Sequence, residues 1–137
     1  MEKYQAYLTL IARLLIAAAF LWFGYTKLFV FGPGGTAQYL DSVWHAPAPV
    51  VAAWVAIVVE ILGGLGIALG FKTRWVAAVL ALWCLFTAFG FHLPAGGPDN
   101  MSNFFKNIIM AGGLLYVVAY GAGAISVDHA MGTDKTT

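Results

Sequence analysis

The chain has 137 residues, 61% of them hydrophobic and 9% charged, and a formal net charge of +1. Soluble domains carry roughly 25% charged residues, so this composition belongs to an integral membrane protein, of one domain by length. The near-neutral balance and scattered basic residues argue against a nucleic-acid partner, and the single cysteine, Cys84, excludes an internal disulfide, a CxxC redox pair and a cysteine-ligated iron–sulfur cluster. Any redox chemistry would have to use a bound cofactor or a partner.

Four apolar runs, at about residues 8–31, 50–71, 75–91 and 103–120, predict membrane-spanning helices, since about 20 apolar residues at 1.5 Å each cross a hydrocarbon core. The first could pass for a signal peptide, with Lys3 ahead of it and Ala17, Ala18 and Ala19 as small residues. Arg13 interrupts it and apolar residues continue to Phe23, so it is expected to stay as an uncleaved span. The breaks carry turn chemistry: Gly32 to Gly35 after the first span, Lys72 to Arg74 after the second, Pro94 to Asn100 after the third, with Ser102 or Asn103 as a cap for the fourth helix. In the first connection Tyr39, Leu40, Val43 and Trp44 fit one side of a short interfacial helix, and fit an ordinary loop with exposed aromatics equally well. A polar tail, 128–137, is expected to be loose. Lys3, Lys72 and Arg74 flank one side and the other two connections lack Lys and Arg, which predicts both termini in the cytoplasm. The fold class expected is an all-α transmembrane four-helix bundle. Phe23-Gly24-Tyr25 against Phe89-Gly90-Phe91, and Gly63-Gly64-Leu65 against Gly112-Gly113-Leu114, hint at a parallel repeat of two hairpins.

Each span has one small, partly polar stripe: Arg13, Ala17, Phe20, Gly24 and Lys27; Ala53, Ala56, Glu60, Gly63, Gly64 and Ile67; Ala78, Ala81, Leu85, Ala88 and His92; Lys106, Met110, Gly113, Val117 and Tyr120. Small residues let membrane helices approach closely. Gly66 and Gly70 form a GxxxG pair that suits in-bundle packing or a homo-oligomer.

Glu60 stands alone near the middle of its span, where a carboxylate costs at least about 2.5–3.5 kcal/mol on insertion scales and must pair or serve a function. Counting from the helix ends brings Arg13 within reach of it, as a structural ion pair or part of a site. Lys27, His92 and Lys106 fall near the outer helix ends and would make a pocket for an anion, a polarised carbonyl or a lipid headgroup, or, for the two lysines, snorkelling anchors. His92 has no helical histidine partner and no CxxCH, so neither haem nor a metal is expected.

Arg13-Leu14-Leu15, Phe20 through Lys27, Gly35-Thr36-Ala37-Gln38-Tyr39, Glu60-Ile61-Leu62-Gly63-Gly64, Thr73-Arg74 and Asn103-Phe104-Phe105-Lys106-Asn107 occur in an order that resembles the DoxX family, over Arg13 to Asp128. The resemblance implies a small four-helix protein of the cell inner membrane. It also implies a subunit of a membrane redox system that meets quinone or a similar lipid-soluble carrier and partner redox proteins, catalytic or not. Distant relatives imply a scaffold or chaperone instead, and the midplane acid with the repeat leaves a small transporter or proton path as a further reading. On the redox reading the ligand-binding residues are Arg13, Lys27, Glu60, His92, Lys106 and Asn107. Glu60 is the group to pass protons and the cations are there to polarise a carbonyl.

Overall fold

The computed structural model describes residues 4–133, all helix and connection with no strand among them. Helix α1 covers Gln5–Tyr25, α2 Gly32–Trp44, α3 Pro49–Leu69, α4 Thr73–Thr87, α5 Leu93–Ala95, α6 Gly97–Tyr120 and α7 Val127–Ala130. π-helical turns at Thr26–Val30 and Ala88–His92 extend α1 and α4. Four stretches, Gln5–Val30, Pro49–Leu69, Thr73–Ala95 and Gly97–Tyr120, are long and apolar enough to cross a membrane. Large apolar side chains such as Trp22, Leu62, Trp75, Ile109 and Tyr116 face outward, while Ala17, Ala53, Ala77, Ala81 and Ala111 fill the interior. That inversion is the packing expected when lipid surrounds the bundle and close backbone approach holds it together.

The last span starts earlier than its apolar run. Pro98 sits in the first turn of α6, where its missing N–H costs nothing, and the Ser102 hydroxyl donates to the Pro98 carbonyl inside the helix instead of capping it. The third span runs past His92 because the π turn passes directly into α5 with helical dihedrals at Leu93. The first connection is helical: α2 buries Thr36, Ala37 and Leu40, while Tyr39 and Val43 of the expected apolar side are exposed.

The principal packing is α1 against α3 and α4 against α6, two hairpins joined along α3 and α4. Each hairpin has a π turn at the same end of its first helix, followed by a short helix, α2 or α5, which agrees with the expected repeat. Within the first hairpin glycines set the register. A Cβ on Gly24 would stand 3.4 Å from the Glu60 Cβ and closer still to Ile61, and Gly70, with φ at +69°, lies against the Arg13 guanidinium. Glu60 is therefore level with Gly24, and Arg13 is level with Gly70.

Candidate functional site

That register corrects the expected Arg13–Glu60 pair. The helix ends are not level: α1 begins roughly two turns before the level of Gly70, so counting residues from the ends misplaces the two side chains relative to each other. Eleven residues of α1 separate Gly24 from Arg13, about 16 Å along the axis. Glu60 instead takes Lys27, whose Nζ stands 2.8 Å from Oε2 and 3.0 Å from Oε1. This is the sole salt bridge found among the described residues.

The π turn brings Lys27 there. Phe31 donates its N–H to the Thr26 carbonyl, five residues back, which widens the helix by one residue and leaves the Lys27 carbonyl to accept from the Thr36 hydroxyl of α2 at 3.2 Å. One local irregularity thus aims the lysine at α3 and fastens α2 across that end of the bundle.

Around the pair lies a cavity of about 720 Å³ between the two hairpins and α2. Its walls are apolar and aromatic, with Phe20, Phe23, Trp83, Phe86 and Phe91 among them. Its polar groups include Lys27, Glu60, Lys106, Asn107, Asn103 and His92. Lys106 reaches in from α6: its Nζ lies 4.6 Å from the centre of the Phe23 ring, which Lys27 also approaches at 5.7 Å, and donates to Asn103 Oδ1 at 2.7 Å. Two ammonium groups and one carboxylate leave the site with an excess positive charge. A site of that volume, mostly apolar with a few convergent polar groups, is the form that small-molecule sites take. Trp44, at the end of α2, closes one side by stacking on Phe91 with ring centres 4.0 Å apart.

Five of the six residues singled out from sequence, Lys27, Glu60, His92, Lys106 and Asn107, meet at this cavity, and Arg13 does not. Arg13 belongs to the opposite end. Almost fully buried, it donates to the Ile67 carbonyl at 3.4 Å and to the Ile125 carbonyl. Beside it α7 docks. Asp128 accepts from the Lys72 N–H at 2.8 Å, the Thr73 N–H at 2.8 Å and the Thr73 hydroxyl at 2.7 Å, while its own N–H donates to the Gly70 carbonyl at 2.9 Å. Burial pushes the Asp128 carboxyl up, but these hydrogen bonds and one from the Thr133 hydroxyl outweigh it and hold the group below its ordinary value. The tail is therefore anchored through 133 instead of loose from 128; Lys3 and residues 134–137 lie outside the described residues.

Reasoning from sequence missed Trp83, Phe86, Thr36 and Trp44 as cavity residues. Trp83 and Phe86 lie off the small-residue stripe of their helix, and Thr36 acts only because the π turn frees a carbonyl. No group of three His, Cys, Asp or Glu side chains among the described residues is placed to hold a metal.

A family model described as DoxX matches residues 8–93. The chain is 42% identical to the inner membrane protein YphA of Escherichia coli over 128 residues, 89% of each chain. It is 35% identical to the inner membrane protein YqjF of the same organism over 94% of this chain and 95% of that one. It is also 26% identical to the ER-derived vesicles protein ERV29 of Saccharomyces cerevisiae, over 93% of this chain and 35% of the yeast protein. No solved structure matches at a significant level.

Proposed function

The chain belongs to the DoxX family, and on that premise we propose that it serves a membrane redox system by holding a quinone, or a similar lipid-soluble carrier, in the cavity over the Lys27–Glu60 pair. It is a multi-pass protein of the inner membrane, with four spans and relatives named for that membrane. Both termini lie on the cytoplasmic side in this reading, with Lys72 and Arg74 in the connection that faces inward.

The observation that carries the proposal is the pairing of an aromatic, apolar cavity with a polar floor deep in the bundle. A quinone, when bound, supplies a carbonyl-bearing ring that can be reduced and an apolar tail. The donor set fits such a head: the Lys106 ammonium and the Asn107 amide can hydrogen-bond a carbonyl oxygen, and Phe23 and Trp83 present flat apolar surface to a ring. Lys27 is engaged by both Glu60 carboxylate oxygens, and Lys106 is the cation left to meet the ligand. Glu60 is the one carboxylate lining the cavity among the described residues and the group able to take or give a proton there.

Mass spectrometry of the small molecules that copurify with the chain in mild detergent should find a quinone or quinol. Protein that carries none, and shows no saturable affinity for added decylubiquinone while its helices are intact, contradicts the proposal.

A further inference from the structure

A second recess lies on the outer face of the bundle, between α3 and α4, and is independent of the cavity. It is a groove of about 360 Å³, lined by apolar side chains except at one end, where Lys72 stands. The two helices touch closely where Gly63 meets Leu80 and Gly66 meets Val76; an added Cβ at Gly66 would lie 3.1 Å from Val76. The longer side chains of Val58, Leu62 and Val79 project beyond that seam as half-exposed walls. The groove therefore runs along the lipid-facing surface and ends at the connection between the spans.

That connection is held in a particular shape. Lys72 has φ at +44°, a left-handed conformation that costs a residue with a Cβ roughly 1 kcal/mol or more, and the Asp128 carboxylate fixes it by accepting the Lys72 N–H at 2.8 Å. The other cation of the connection, Arg74, donates to the Val118 and Ala119 carbonyls at 3.2 Å each, at the end of α6. Lys72 is thus the cation presented at the groove, beside Trp75, which is 78% exposed. Lysine and tryptophan at the end of an apolar groove match the layering of a phospholipid: phosphate, interface, acyl chain.

We propose that this groove binds an anionic glycerophospholipid, one acyl chain lying against Val58, Val59, Leu62 and Val79 and the phosphate meeting the Lys72 ammonium. The backbone clamp from Asp128 aims the lysine, so the docked C-terminal helix contributes to the site without touching the lipid.

Native mass spectrometry of the full chain released from bilayers of equal dioleoylphosphatidylglycerol and dioleoylphosphatidylcholine tests this. Wild-type protein should retain the phosphatidylglycerol preferentially. Lys72→Asn keeps a side chain that tolerates the left-handed backbone and removes the charge; the preference should fall roughly fivefold, the effect of one cation at a membrane surface, while Lys72→Arg retains it. Val79→Trp, at an exposed wall, should reduce occupancy by both lipids. Far-UV circular dichroism confirms that each variant is folded, with Lys72→Gln replacing an Asn variant that is not. An unchanged preference in the charge-removing variant, no preference in the wild type, or unchanged occupancy in Val79→Trp overturns the proposal.

Discussion

The two ends of the bundle use similar ingredients for opposite purposes. At the end where α7 docks, Arg13 is enclosed by carbonyls, Gly70 lets the backbone close over it, and Asp128 binds two backbone N–H groups and a hydroxyl. At the end where α2 lies, Lys27 meets Glu60 beside open space, and the neighbouring polar groups, Lys106, Asn107 and His92, line a cavity. Packed charges at the first end have their partners within the protein. The second keeps more cation than anion, and that imbalance makes it the end suited to a ligand. A buried charge is thus no sign of function by itself; what distinguishes the two is whether the charged groups are packed against the protein or line a cavity.

Substitutions should separate the ends. The largest effect is expected for Arg13→Leu, which leaves the Ile125 carbonyl without its donor at about 1–3 kcal/mol and takes from the Ile67 carbonyl one of two donors, the Gly70 N–H remaining. Thermal unfolding in detergent should show a destabilisation of about 2 kcal/mol or more, with the ligand affinity of the surviving folded protein unchanged. Glu60→Gln should cost less, about 1–2 kcal/mol, because the Lys27 side chain is 27% exposed and stays solvated at the cavity edge. Its effect should fall on ligand binding or proton uptake, the reverse of the Arg13 pattern.

A pH series reads the closed end alone. The Asp128 carboxyl is held below its ordinary value, so its contribution to stability is fully present above the unfolded value of about 3.9 and is lost as pH falls through the lower folded value. Unfolding temperature should decline on the acid side of about pH 4, and Asp128→Asn should remove that component of the decline. Smallest is Trp44→Leu, which loses the stack on Phe91, worth about 0.5–1.5 kcal/mol. Faster proteolysis within α2, with the four spans still protected, is the expected readout.

The fold was legible because its signals are long: four apolar runs, their turn residues and the family-like order of motifs need no tertiary information. The buried stripe of α1 reads directly as Arg13, Ala17, Phe20 and Gly24. On α6 the reading slips by one residue over most of the helix, since Asn107, Ala111 and Leu114 are buried where Lys106, Met110 and Gly113 were expected, while Val117 is buried as expected. Both choices repeat at helical spacing, and only packing against α4 decides between them. The ion-pair partner of Glu60 was not legible, because it depends on how far α1 slides past α3 and on a π turn, Thr26–Val30, that includes Lys27. The cavity itself arises from space between hairpins, a property no periodicity encodes, although five residues at its surface could be named from charge and depth.

Equilibrium binding of decylubiquinone to the purified chain in lipid nanodiscs tests most directly whether the Lys27–Glu60 end is a ligand site and the Arg13–Asp128 end a lock. The account predicts saturable binding at one site, weakened about tenfold or more by Lys106→Ala, which removes a charge-assisted contact worth about 1.5–3 kcal/mol, and unchanged by Asp128→Asn. Non-saturable partition into the nanodisc, or the same change in both variants, would contradict it.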